Sequence, residues 1–360
     1  MTFEGFCTKD ELADWLDKLA AQLSLVAPVN ENGVLLYREV RSSKDIAFPG
    51  SVKDHMVEQE YPLRAVISAK GIVFPSTELL FKINMDGGQI LLEETLPDKQ
   101  QVVFGLPPCD ARGVRIMDSV FIESQPPDVH YAARREKITL VGLACREMGA
   151  SCFCTSCGSA PDDTRDMDIM LSEFEEGYLI QGINERSRSL LTQLSYNSNT
   201  STINLDQLNH KTKLGPSPTS VAIPDIENMA RLFDNEVWEK VSESCLSCRI
   251  CSYVCPTCRC FDVRDEMYFT ENRDEYYQRI RCWDSCSRDA YRRIAGGHTP
   301  RADEAERLRN RIFCKFNYLP QQYSLKGDIA CTGCGRCIDA CPVNIDITEI
   351  LGYLAEVAHE

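Results

Sequence analysis

The sequence predicts two kinds of fold in one chain: an α+β or α/β N-terminal domain with a mixed sheet, then a mainly α-helical domain. Three observations carry this expectation. Short apolar runs punctuated by Gly and Pro alternate with helical periodicity over the first half. A Ser-, Thr-, Asn- and Pro-rich stretch at 195–218 then loses all periodicity and reads as a linker. Beyond it lie two complete four-cysteine runs, Cys245, Cys248, Cys251, Cys255 and Cys331, Cys334, Cys337, Cys341, each closed by a proline, Pro256 and Pro342. The expected domains are 1–215 and 216–360, with helices inserted at 262–330 between the runs.

Taken in order, residues 8–23 read as an amphipathic helix. Thr8 and Glu11 form a capping-box pattern, and Leu12, Trp15, Leu16, Leu19 and Leu23 follow helical spacing. Residues 34–40, 64–67, 79–83 and 89–93 read as strands, set apart by Pro49-Gly50, Gly71, Pro75 and Gly87-Gly88. A short apolar strand at 101–105 runs into Cys109 and a helix at 111–121; another at 137–143 runs into Cys145. If these two strands are parallel neighbours, both cysteines emerge on the carboxyl edge, where α/β sheets place ligands. Two more strands are expected at 167–171 and 178–181, and a helix at 185–194. Helical segments follow at 225–241, 275–294, 302–316 and 346–359. Nine arginines from Arg279 to Arg311 read mostly as solvated helix faces with i,i+4 pairs; the sharper alternative is cations facing a metal cluster held by the cysteine runs, or a docking face for an acidic partner.

The spacing C-x2-C-x2-C-x3-C followed by Pro is that of bacterial ferredoxins, which hold [4Fe-4S] clusters through thiolates. The second domain is therefore expected to be ferredoxin-like and to carry two clusters. In two-cluster ferredoxins the fourth cysteine of each run ligates the other cluster. One set is then Cys245, Cys248, Cys251 and Cys341, and the other Cys331, Cys334, Cys337 and Cys255. Zinc ribbons and disulfides are the plainer readings, but zinc sites show two C-x2-C pairs rather than two full runs. Cys109, Cys145, Cys152 and Cys154 would converge on a third cluster, with Cys157 competing for a place, or are simply buried. Cys258, Cys260 and Cys286 exceed twelve ligands; with Cys282 they would make a fourth cluster, or they pack passively.

The 360 residues carry 19 cysteines and a formal charge of −15. That charge opposes binding to nucleic acid or anionic membranes. No apolar run approaches the ~20 residues of a membrane span, and the first ten residues carry no export signal, so a cytoplasmic chain is expected. Its cysteines then serve metal rather than disulfides. No G-x-G-x-x-G, P-loop or Ser-His-Asp pattern stands out. The histidines (His55, His130, His210, His298, His359) are scattered without metal spacing. These features favour a carrier of single electrons without its own nucleotide site. A reductase whose open-site cluster acts directly on a sulfur compound is the enzymatic alternative, and a zinc scaffold the structural one.

Several motifs together resemble one family. They are Pro-Cys-Asp at Cys109, Cys145 with Cys152-Phe-Cys154-Thr-Ser, Cys-Pro-Thr-Cys-Arg-Cys-Phe from Cys255, Trp283-Asp-Ser-Cys286, Ala295-Gly-Gly-His298 and the final four-cysteine run. The chain resembles the iron–sulfur electron-transfer subunits of cytoplasmic, anaerobic oxidoreductase complexes. Examples are the beta subunit of sulfhydrogenase (soluble nickel–iron hydrogenase) and the iron–sulfur subunit of anaerobic sulfite reductase. Similar subunits accompany flavin oxidoreductases linked to heterodisulfide reductases. The resemblance spans roughly 101–360 and favours the third cluster. It implies a partner flavoprotein with FAD that handles NAD(P)H, and a separate catalytic subunit of hydrogenase, sulfite reductase or heterodisulfide reductase type. The chain departs from the pattern at Arg249 (usually Gly), Cys157 (usually Met) and Cys314 (near a usual His), while Cys7 and Cys282 look additional.

Overall fold

The computed structural model describes residues 3–48, 64–86, 89–174, 177–192, 217–269, 275–291, 293–323, 325 and 329–358. The expected turns at Pro49-Gly50 and Gly87-Gly88, His55, His210, His359, Arg292 and all of the expected linker except Ser217 and Pro218 lie outside the described residues.

Strand β1 (Phe3–Thr8) leads into helix α1 (Lys9–Gln22) through the expected capping box. Glu11 N donates to Thr8 Oγ1 at 3.2 Å, and Thr8 N donates to Glu11 Oε2 at 2.8 Å. Strands β2 (Ser24–Glu31) and β3 (Val34–Val40) form a hairpin; α2 (Lys70–Val73), β4 (Thr77–Asp86) and β5 (Gln89–Glu94) follow. Then come β6 (Gln101–Leu106), α3 (Pro108–Phe121), α4 (Val129–Glu136), β7 (Ile138–Leu143), β8 (Ile169–Phe174), β9 (Gly177–Gly182) and α5 (Glu185–Leu191).

Seven of these strands make one mixed sheet in the order β1-β9-β8-β7-β6-β2-β3. Its centre, β2-β6-β7-β8, is parallel, and its flanks are antiparallel. Both faces are covered. Leu12, Trp15, Leu16 and Leu19 of α1 bury themselves with Leu25, Phe104, Val141, Ile169 and Ile180. On the other face Val114, Met117 and Phe121 of α3 meet Val103, Leu106, Leu140 and Tyr131. Each such side chain contributes about 1.5–3 kcal/mol by leaving water, which fixes both helices against the sheet. The parallel pairing of β6 and β7 puts the loops after them on one edge, as expected.

The second half contains α6 (Ile226–Arg231), α7 (Val237–Ser242), α8 (Ile250–Tyr253), β10 (Phe261–Phe269), β11 (Glu275–Trp283), α9 (Glu304–Phe313), a π-helical turn (Cys314–Tyr318), α10 (Leu319–Gln322), α11 (Arg336–Asp339) and α12 (Ile347–Ala358). Met229, Trp238, Ile312, Phe313, Phe316, Leu351 and Leu354 form its core, joined by Phe153 from the first half. No helix among the described residues is long and apolar enough to cross a membrane.

Two expectations are corrected. The helix expected at 275–294 is instead strand β11, so the region between the cysteine runs is not mainly helical. Strand β11 is held between β10 and β4 in a four-stranded antiparallel sheet, β10-β11-β4-β5. Arg279 Nε reaches Asp265 Oδ1 at 2.7 Å, Tyr268 stacks on Tyr276, and buried Arg281 pairs with Glu78 of β4 and with Asp128. Charges that suggest a solvated helix are thus cross-strand partners. The strand expected at 64–67 is irregular, because Arg64 and the Ala65 carbonyl bind groups of the second cysteine run, described below. The second sheet also crosses the expected boundary at 215/216, since β4 pairs with β11.

Candidate metal centres

The two cysteine runs fold into the same loop twice. In the second, Gly333 and Gly335 take left-handed φ values of 62° and 73°. In the first, Ser247 (φ 47°) and Arg249 (φ 71°) take the same conformation without being glycine. The loop geometry therefore explains why glycine suits the position of Arg249, and a non-glycine residue there costs roughly 1–2 kcal/mol. Each loop ends in a one-turn helix, α8 or α11.

The first expected set converges. Cys245, Cys248, Cys251 and Cys341 line one cavity of about 50 Å³, together with Arg307, Arg311 and Cys337. That is several times the ~10–15 Å³ one water needs. In the second set, the Cys337 thiol has Cys334, Cys255 and Cys331 as charged neighbours, and burial pushes it up to about 12. Lys315 Nζ donates to Cys255 Sγ at 3.1 Å, to Thr257 Oγ1 at 2.8 Å and to Cys258 Sγ at 3.5 Å. The Cys258 thiol and Lys315 hold Cys255 well below the ordinary thiol range.

The third set also assembles. Cys145 has Cys154 and Cys152 beside it, and Cys109 has Cys334 and Cys145. Burial pushes Cys145 up to about 12 and Cys154 up to about 11. Arg64 Nη1 donates to Cys152 Sγ at 3.2 Å, and its Nη2 pairs with Asp339 Oδ2 at 2.7 Å. Cys157 lies between Cys154 of this set and Cys331 of the second. Its thiol donates to Cys331, which holds Cys331 down to about 7 and raises Cys157.

The second and third sets are locked together through backbone. Phe153 N donates to Gly333 O at 2.9 Å, and a Cβ on Gly333 would sit 2.5 Å from Cys154 Cα. A Cβ on Gly113 of α3, one turn past Cys109, would sit 2.5 Å from Pro256 Cβ. Arg336 Nη1 and Nη2 bind Asp110 Oδ1 and Oδ2 at 2.6 and 3.0 Å, and both side chains are fully enclosed. Arg336 Nε donates to Ala65 O at 2.8 Å, and Ala69 N donates to Asp110 Oδ2 at 3.1 Å.

Sequence reasoning underrates the buried cations. Arg281, Arg307, Arg311, Lys315 and Arg336 are buried rather than solvated. Arg311 lies among Cys251, Cys337, Cys258 and Cys255, and its Nε and Nη2 have no hydrogen-bond partner. A buried guanidinium costs several kcal/mol unless it meets negative charge. Neutral thiols do not supply that charge, whereas thiolates around an iron–sulfur core do, so the donor set fits such a group. A single zinc would draw its thiolates to about 3.8 Å from one another, given Zn–S bonds of about 2.3 Å. No group of three or more His, Cys, Asp or Glu among the described residues is arranged for a single ion.

Residues 244–345 match the family model of the 4Fe-4S dicluster domain. The chain is also similar to the sulfhydrogenase 2 subunit beta of Pyrococcus furiosus, with 29% identity over 350 residues, 95% of this chain and 96% of the relative. No solved structure matches. The chain thus carries a match to a 4Fe-4S dicluster domain in its second half and, along nearly its whole length, resembles a sulfhydrogenase beta subunit.

Proposed function

We propose that this chain is the relay subunit of a multisubunit oxidoreductase. It passes single electrons between a flavoprotein that holds FAD and handles NAD(P)H and a separate catalytic subunit, of hydrogenase type by its similarity to the sulfhydrogenase beta subunit. The carrying observation is the unbroken succession of cysteine sets. Arg311 spans Cys251 of the first and Cys337 of the second, and Cys334 of the second neighbours Cys109 of the third. Cys245, Cys248, Cys251 and Cys341 would hold one [4Fe-4S] cluster, Cys331, Cys334, Cys337 and Cys255 a second, and Cys109, Cys145, Cys152 and Cys154 a third. Such clusters exchange one electron at a time at potentials set by charge, hydrogen bonds and exposure.

The chain's own residues then do three things. Buried Arg311, Lys315 and Arg336 and the partly buried Arg64 place positive charge beside the thiolates, which favours the reduced state. Gly113, Gly333 and the Asp110–Arg336 pair hold the first half against the ferredoxin-type loops, so the sets keep fixed separations. The exposed Cys248 brings the first set to the surface, where a partner would dock.

The test is anaerobic purification of the chain alone, with iron and sulfide analysis and an NAD(P)H oxidation assay. Equal iron and sulfide, about twelve or more of each per chain, with no NAD(P)H oxidation until a flavoprotein is added, is the expected result. Robust oxidation by the isolated chain, or zinc in place of iron, would overturn the proposal.

A further inference from the structure

Four cysteines remain near one another after the three sets are assigned: Cys258, Cys260, Cys286 and Cys314. The base of the β10–β11 hairpin positions two of them. Cys260 directly precedes β10 and Cys286 lies three residues past β11, and Asp284 N donates to Cys260 O at 2.8 Å. The thiols of Cys260 and Cys286 touch, and Cys258 and Cys314 are the next charged groups around Cys286. Cys314 opens the π-helical turn that extends α9. Such turns are rare and frequently occur at functional sites.

The charges around this group are as informative as the thiols. Arg259 Nη1 donates to Cys314 Sγ at 3.6 Å, and its charged neighbours are Cys314 and Cys260. Lys70 is 3% exposed; its Nζ donates to the carbonyls of Ser252 (3.2 Å) and Cys258 (3.1 Å) and lies 3.9 Å above the Trp283 ring. Burial lowers the Lys70 ammonium from its ordinary range, while the neighbouring Cys258, Cys255 and Cys260 act to hold its charge. Lys315, 2% exposed, adds its contact to Cys258. Two buried lysines and the partly buried Arg259 thus face thiols, carbonyls and rings. Burying them costs several kcal/mol each unless negative charge is present. Cys255 and its set face only part of this cation group. Around Cys260, Cys286 and Cys314 an anionic iron–sulfur core held by these cysteines would supply that charge. Ser285 and Tyr291 add hydroxyls to the surroundings: Ser285 Oγ donates to Ser252 Oγ at 3.0 Å, and Tyr291 hydrogen-bonds the Cys260 thiol.

We propose that Cys258, Cys260, Cys286 and Cys314 hold a further iron–sulfur cluster of the [4Fe-4S] class, beyond the three sets above. Cys282, the partner suggested by sequence proximity, is not part of it. That residue sits within β11, and its thiol faces Thr77 Oγ1 at 3.8 Å. The site places a cluster beside Cys255 of the second set, whose Cys334 neighbours Cys109 of the third. The succession of sets then branches there. The proposal concerns binding alone and stands whether or not the chain relays electrons.

The experiment is cluster counting on the full anaerobic chain by native mass spectrometry, with iron, sulfide and zinc analysis. Wild type should carry about sixteen irons and an equal amount of sulfide, with no zinc. Cys286→Ser and Cys314→Ser should each lose about four irons, while Cys282→Ser loses none. Twelve irons in wild type, or unchanged iron in both Ser variants, would overturn the proposal while leaving the three-cluster reading intact. A zinc atom or a Cys260–Cys286 disulfide in the wild-type mass would overturn it equally. The wild-type count decides the matter even if a variant fails to fold.

Discussion

Replacing Asp110 with Asn tests how the two halves are held together. The change keeps the shape of the side chain but removes the charge that faces Arg336 through two bonds of 2.6 and 3.0 Å. The guanidinium is 2% exposed and the carboxylate 0%, so water does not replace what is lost. Removing one partner of such a pair costs about 3–5 kcal/mol, because the other charge stays buried. At about 2–4 °C per kcal/mol, the apparent unfolding midpoint should fall by about 6–20 °C. The assay is far-UV circular dichroism of the anaerobic, cluster-loaded chain, comparing midpoints at one scan rate. Asp110→Asn combined with Arg336→Met removes both charges and should cost at least 1–2 kcal/mol less than the sum of the single changes, by roughly the coupling that contacting residues show. A single variant within about 2 °C of wild type, a shift below that expected for 1 kcal/mol, would refute the reasoning. Strict additivity of the pair would refute it too.

Gly333→Ala should destabilise the chain by about 1–3 kcal/mol and lower the iron content of the second and third sets together, since the added methyl meets Cys154 backbone at 2.5 Å; iron analysis against the first-set signal checks this. Arg249→Gly should raise the unfolding midpoint, by the equivalent of about 1 kcal/mol, by relieving the left-handed backbone at φ 71°. Cys109→Ala with Cys152→Ala should remove about four irons per chain and leave the EPR of the two ferredoxin-type clusters unchanged.

What is legible in the sequence follows local rules. The capping box at Thr8, the strands leading to Cys109 and Cys145, and the recurring cysteine spacing each depend on a few adjacent residues, and each reappears in the structure. The failures are long-range. Strand β11 carries Tyr, Arg, Ile and Cys without clear alternation, and it is a strand because β4, some two hundred residues earlier, offers Glu78 to Arg281. Arg311 and Lys315 fall on a charged helical pattern that resembles any solvated face. Only the fold shows that thiols from both cysteine runs surround them. The set at Cys314 is hidden for the same reason. Proximity in sequence points to Cys282, whereas the turn after α9 returns Cys314 from thirty residues further on.

The pairing of β4 with β11 has a consequence for synthesis. At about 5–20 residues per second, the ribosome needs roughly 10–40 s to make the ~190 residues between the two strands. For that time the inner edge of β4 has no partner, and β5 beside it carries Ile90, Leu91 and Leu92, which stay exposed even in the finished chain. An open apolar edge of this kind recruits other chains. The nascent protein therefore has to be shielded well before Cys331, Cys334, Cys337 and Cys341 leave the ribosome, and iron reaches the two ferredoxin-type sets, which need these cysteines, only after that interval has passed.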